Sequence, residues 1–282
     1  MFHDRPTSLE TLPYLHVSAF KVATLVSEGP THKVMRSSGT SGTPSVVHAS
    51  SRDCLRQSQA LAHTFAARFG PLRRDIVVVD HDLETLLRDG MPARAAAIVG
   101  FTSLSRNPRF LLAESDATTV TGRSPLVFGF TTSVWEHRKL LEPLAGRQAV
   151  VLHGGGWKRL SASGVSREAF NEELLRCVPD AEVVNYFGMI EQVGVVYFDC
   201  AVGRFHEHRY GTFIARDASE LQPAGTGLGQ FFSTVPMSYP GHSLLTDDII
   251  EIEQRCECGA PGRAFRFIAR REASETRGCA NA

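Results

Sequence analysis

Arg36-Ser-Ser-Gly-Thr-Ser-Gly-Thr-Pro-Ser45 is the densest local signal in the chain. Small residues let a backbone approach a polyphosphate closely, and the Ser and Thr hydroxyls add donors to those of the backbone N–H groups. The stretch is not a Walker loop, because the spacing from Gly39 to Gly42 is wrong and no Lys follows. Taken alone, it reads equally as a phosphate-binding loop or as a flexible Ser/Gly linker.

The surrounding sequence supplies a fold for such a loop. From Ser51 a helix is predicted, with Leu55, Leu61, Ala62, Phe65, Ala66 and Phe69 on one face and Ser51 or Asp53 near its cap. Gly70-Pro71 ends it. Short apolar runs at 76–79, 97–99, 126–130, 149–152 and 183–186 suit buried strands. The gaps between them hold crossover helices at 135–144 and Arg167–Cys177. Buried strands alternating with helices predict an α/β fold with a mostly parallel sheet flanked by helices. After about Tyr197 the segments shorten and turn signals multiply, which predicts a smaller β-rich subdomain. The expected division is 1–198 for the α/β core and 199–282 for the β-rich part with a short tail.

Composition narrows the function classes. The 282 residues are 43% hydrophobic and 21% charged, which excludes a disordered chain. Thirty basic residues balance thirty acidic ones, so no nucleic-acid partner is expected. Lys stands only at positions 21, 33, 139 and 158. Neither a signal peptide nor a bilayer-spanning run is visible, so no membrane association and a cytoplasmic location are expected. In that setting thiols stay reduced, and the six cysteines (54, 177, 200, 256, 258 and 279) read as core residues, metal ligands or nucleophiles. Cys200, His206, Cys256 and Cys258 form a candidate structural Zn²⁺ set, with His208 in reserve, because thiolates with one imidazole favour that ion. Four unrelated buried residues are the alternative.

Four motifs in order then carry a resemblance. Residues 37–44 resemble the phosphate loop of the adenylate-forming superfamily, which includes acyl-CoA synthetases, peptide-synthetase adenylation domains and firefly-type luciferases. Asn185-Tyr-Phe-Gly-Met-Ile-Glu191 is similar to its Asn-x-Tyr-Gly-x-Thr-Glu motif, Thr246-Asp-Asp248 to its Thr-Gly-Asp, and Phe267-Ile-Ala-Arg270 to its hinge motif. Within the superfamily, Ser18-Ala-Phe-Lys21, His153-Gly-Gly-Gly-Trp-Lys158 and Arg277-Gly-Cys279 resemble the acyl-protein synthetases of bacterial luminescence, and next the phenylacetate–CoA ligases. The latter also resemble this chain in a Cys…Gly-x-His segment and a later Cys-x-Cys-Gly. Against typical relatives, about a third of the core before the loop and the mobile carboxy-terminal domain are missing.

The resemblance implies ATP and Mg²⁺ as cofactors and activation of a carboxylic acid as its acyl-adenylate. It assigns Ser37, Ser38, Gly39, Thr40, Ser41, Gly42 and Thr43 to the β- and γ-phosphates, and Glu191 to Mg²⁺. Gly154, Gly155 and Gly156 would lie against adenine, Asn185 would read its amino group, and Phe187 before Gly188 would stack on the ring. Asp248 would accept the ribose hydroxyls, and Arg270 would hold ribose or phosphate. The chain departs from the pattern at Ser45, where relatives often carry Lys, and at Ile190, where they carry Thr. No lysine follows Lys158, so Lys158, Arg270, Arg271 or a partner must supply the catalytic cation.

The acyl group would pass to a thiol, and Cys279 is the acceptor that the resemblance favours. Arg277 beside it would favour the thiolate. Two alternatives stand: a conventional acid–thiol ligase using CoA or a carrier protein, and a nucleotide-binding remnant without catalysis. Phe101, Phe128, Phe130, Thr131 and Trp135 line an apolar or aromatic acyl pocket, or else belong to the core.

Overall fold

Residues 7–27, 29–37, 43–70, 74–88, 92–105, 107–116, 118–155 and 157–271 are described in a computed structural model of the chain. Strand β1 (Leu15–His16) and helix α1 (Ala19–Val22) precede an antiparallel ribbon of β2 (Lys33–Arg36) and β3 (Val46–Ala49). Helix α2 (Ser51–Phe69) follows, capped by Ser50, whose side chain accepts from the Asp53 N–H while Asp53 bonds back to the Ser50 N–H. The cap therefore lies one residue earlier than the sequence suggests, and Asp53 completes a capping box. Leu61, Phe65 and Phe69 are buried as expected, but Leu55 is 59% exposed. The buried stripe passes instead through Asp53, Gln57, Ala60 and Thr64, a face partly polar and so hidden from a reading of apolar periodicity.

The α/β unit then builds up as β4 (Ile76–Val78), α3 (Leu83–Leu87), α4 (Ala93–Thr102), β5 (Pro108–Phe110), β6 (Leu126–Phe130), α5 (Thr131–His137), β7 (Val150–Gly154), α6 (Trp157–Ala162), α7 (Arg167–Cys177), β8 (Glu182–Phe187) and β9 (Tyr197–Phe198). The sheet order is β5-β4-β6-β7-β8-β9, parallel throughout except for β9 against β8. One sheet face packs on α2 and α4 through Phe65, Phe69, Ile98 and Phe101, the other on α5–α7 through Val134, Leu160 and Phe170. The strand expected at 97–99 is a turn of α4. Its apolar run is too short to distinguish strand from buried helix, and the alanines at 95–97 favour the helix. The expected helix at 135–144 starts at Thr131 and tightens to 3₁₀ geometry over Arg138–Leu144.

The rest of the chain forms an antiparallel sheet: β10 (Phe205–His206), β11 (Gly211–Arg216), β12 (Pro223–Ala224), β13 (Thr226–Ser233), β14 (Ser243–Glu253) and β15 (Ala264–Arg270). Its order is β10-β15-β14-β13-β11-β12, and β1 joins it in parallel on β14. A cluster of Tyr197, Phe205, Phe213, Phe231 and Phe265 fills the seam between this sheet and β9. No described helix is long and apolar enough to cross a membrane.

Candidate active site

The ends of the Ser/Gly loop are tied together. The Ser37 N–H donates to the Ser45 carbonyl at 3.0 Å, and the Ser45 N–H donates to Ser37 Oγ at 2.8 Å. Positions 38–42, the body of the expected phosphate loop, lie outside the described residues; Ser37 and Thr43 are within them. Ser45 is 2% exposed, and its hydroxyl lies near the carboxyl of Glu191. Glu191 sits in a 3₁₀ turn just after β8 and is 7% exposed. Burial pushes its carboxyl above the usual range, opposed by the Ser45 hydroxyl and by the positive charges of Arg270 and Lys21. Lys21, at the end of α1, also lines a cavity of about 310 Å³ with Arg36, Phe20, Val46 and His48. The root of the loop thus meets a buried acid and two cations.

Strands β14 and β15 bring the third and fourth motifs together. Asp248 lies opposite Arg270 in register, and Arg270 donates from Nε at 2.6 Å and from Nη2 at 3.0 Å to its two carboxylate oxygens. Asp248 is 3% exposed, beneath an Arg270 side chain that is 53% exposed. Thr246 Oγ1 accepts from the Asp248 N–H and donates to the Gly229 carbonyl, which fixes the turn of backbone leading into Asp248.

Beside them lie the ends of β7 and β8. Asn185 is paired with His153 across these strands, and its N–H donates to Asp199 at 2.8 Å. Arg167 holds the other oxygen of Asp199. Burial nevertheless raises Asp199 to about 6. His153 bonds Thr131 and packs on Phe170; burial lowers it to about 3, so the imidazole is neutral. Gly154 ends β7 where a Cβ would stand 2.6 Å from the Tyr186 carbonyl oxygen. Gly155 turns with φ +67° next to the Phe130 ring. Gly156 and the side chain of Lys158 lie outside the described residues, as does Cys279. Phe187, just before Gly188, is half-buried and stacks at 5.0 Å on Phe231. Of the acyl-pocket candidates, Phe101, Phe128 and Thr131 are fully enclosed core residues, and Trp135 stacks on Phe170. Phe130 and Trp135 are partly buried, and of the two Phe130 is the ring against Gly155.

Sequence reasoning missed Ser45, Lys21, Asp199 and Arg167. Ser45 had registered only as the place of an absent lysine. Asp199 carried one signal, a carboxylate ending the apolar run Val195-Val-Tyr-Phe198.

Beside the edge strands β9 and β10, Cys200, His206, Cys256 and Cys258 present ligand atoms that all lie within 4.8 Å of one another. His208 stands apart from them: its Nδ1 accepts from the Tyr210 N–H, and its ring packs on Tyr197.

The architecture is that of the amino-terminal domain of adenylate-forming enzymes. 2-Hydroxyisobutyryl-CoA ligase in an open conformation, solved with 2-HIB-AMP and CoA, superposes with a TM-score of 0.60 at 14% identity, over 84% of this chain and 56% of that one. ATP-bound MatB from Rhodopseudomonas palustris gives 0.54 at 12%, over 84% and 47%. The NpsA amino-terminal subdomain of Klebsiella oxytoca, with 3-hydroxybenzoyl-AMSN, gives 0.51 at 15%, over 84% and 63%. The chain therefore spans about half to two-thirds of the length of these structures. No curated protein matches the chain in sequence. The family model for acyl-protein synthetase, LuxE, matches residues 137–282, just over half of the chain. The chain belongs to that family.

Proposed function

We propose that the protein activates a carboxylic acid with ATP and passes the acyl group to a thiol. One observation carries this reading: Glu191, buried at the root of the loop, lies in the field of the same Arg270 that covers Asp248. This supports reading Glu191 and Asp248 as parts of one site, with Asp248 as the ribose acceptor.

In the first step a substrate carboxylate oxygen attacks the α-phosphorus of ATP. The bond from that phosphorus to its bridging oxygen breaks, and pyrophosphate leaves with the electron pair. Both reactants are anions, so the site must offset negative charge and align them. The loop from Ser37 to Thr43 holds the β- and γ-phosphates, with Lys21 and Arg36 adding positive charge at its root. Glu191 is a hard oxygen donor suited to Mg²⁺, which when bound draws charge from the phosphate oxygens. Arg270 holds Asp248 in place through its two bonds, and the remaining lone pairs of the carboxylate accept the ribose hydroxyls. Asn185 reads the adenine edge, with the base against Gly154–Gly156 and the open face of Phe187. Arg270, Lys21 and Lys158 are the cations available for the charge that develops. In the second step a thiolate attacks the acyl carbon and AMP departs, the thiol proton passing to water. Cys279 is that thiol, or else CoA or a carrier protein.

Hydroxylamine trapping tests the chemistry. With ATP, Mg²⁺ and a panel of acids, hydroxamate should form with apolar or aromatic members. ATP binding without hydroxamate from any acid would instead mark a non-catalytic nucleotide-binding remnant. Intact mass then tests the acceptor: the wild type should gain a hydroxylamine-labile acyl adduct that Cys279→Ser lacks. An equal adduct on that variant excludes Cys279.

A further inference from the structure

Four soft or borderline ligands meet beside the edge strands β9 and β10. Cys200 follows β9, His206 belongs to β10, and Cys256 and Cys258 lie in the turn between β14 and β15. Residues more than fifty positions apart in sequence are thus brought to one point. Cys200 Sγ lies 3.7 Å from Cys256 Sγ, and Cys258 Sγ lies 3.3 Å from His206 Nε2. A disulfide needs sulfurs about 2.05 Å apart, so the first pair is not one. A tetrahedron with metal–sulfur bonds of about 2.3 Å and a metal–nitrogen bond of about 2.0 Å has edges of about 3.8 Å between sulfurs and about 3.5 Å from sulfur to nitrogen. Both observed edges fall close to those values.

The surroundings suit thiolates. Gly259, at φ +79°, turns the chain so that the Ala260 N–H donates to Cys258 Sγ at 3.4 Å. Three thiolates, one neutral imidazole and a divalent ion sum to a single negative charge. The Arg204 guanidinium, paired with Glu253, acts on Cys256, and that of Arg68, paired with Glu182, acts on His206. We propose that Cys200, His206, Cys256 and Cys258 hold one structural zinc ion that fastens the edge of the parallel sheet to the edge of the antiparallel sheet. Four protein ligands leave no open coordination position, which makes the site structural rather than catalytic. The fastening matters because β10 pairs with β15 at only two positions, too few to hold an edge strand alone. It also anchors the residue next to Asp199, the carboxylate that accepts from Asn185.

Metal analysis of the wild-type protein, reconstituted with zinc and freed of unbound ion by gel filtration, tests this. About one zinc per chain is expected, as for a closed Cys₃His site. Cys258→Ser should lose most of it, while Cys177→Ser should keep it. Should Cys258→Ser fail to fold, the wild type still decides: cobalt substitution should give the visible bands of tetrahedral cobalt and thiolate-to-metal charge transfer in the near ultraviolet. Less than half an equivalent of zinc, octahedral cobalt spectra, or a mass two hydrogens short from a Cys200–Cys256 disulfide would each overturn the proposal.

Discussion

Asp248 and Arg270 show how much one residue pair decides. The carboxylate is buried and both its oxygens are bonded by the guanidinium. Removing the guanidinium leaves a charge in the interior without its partner. A fully buried pair would lose 3–5 kcal/mol, and discounting for the half-exposed Arg270 leaves about 1–3 kcal/mol as the cost of Arg270→Ala. Adding Asp248→Asn removes the stranded charge, so the double variant should be less destabilised than the sum of the two single variants. Urea unfolding midpoints check this, and strict additivity would contradict it. The two residues were legible separately as motif members. Their pairing was not, because a bulge between Ile249 and Ile250 shifts the β14–β15 register that simple alternation would give. Ser45 was legible only as a departure from a pattern; its bonds to Ser37 and its place near Glu191 depend on the fold.

At the scale of elements, the glycine at the end of β7 is a steric requirement. A Cβ on Gly154 would meet the Tyr186 carbonyl oxygen at 2.6 Å and its ring at 2.7 Å. Gly154→Ala should therefore lose about 1–3 kcal/mol, read by chemical unfolding, since the neighbour is backbone and cannot swing aside. The β8–β9 corner carries a pH signature. Burial pushes the Asp199 carboxyl up to about 6, above its ordinary value of 3.8, so the folded state holds that proton more tightly than the unfolded chain. Its contribution to stability is greatest below about pH 4 and is lost as the pH rises through about 6. The melting temperature of the wild type relative to Asp199→Asn should accordingly fall between pH 4 and 6 and level off above 7. A difference that is flat across that range would contradict the reading. The strands of the parallel sheet were legible because burial on both faces demands continuous apolar runs. Residues 97–99 met the same criterion inside a helix, and no local feature separates the two cases in three residues. The polar half of the buried face of α2, with Asp53, Gln57 and Thr64, was illegible because Asp53 and Thr64 find their partners remote in sequence. Asp53, for example, accepts from the N–H groups of Met237 and Ser238.

For the whole molecule, the order of alternating strands and helices was enough to give an α/β sheet followed by a β-rich part. The return of β1 to pair with β14 was not readable, since a two-residue strand leaves no pattern. The account's central claim is that the loop, Glu191 and the Asp248–Arg270 pair form one adenylation site. Exchange of labelled pyrophosphate into ATP, dependent on an added carboxylic acid, reports the first step alone and needs no thiol acceptor. The wild type should catalyse it with Mg²⁺ present, and Glu191→Gln should lower the rate by about 100-fold or more, the scale set by losing one electrostatic contact to the reacting phosphates. Exchange that Glu191→Gln leaves unchanged, or ATP binding with no exchange across a broad panel of acids, would contradict the account.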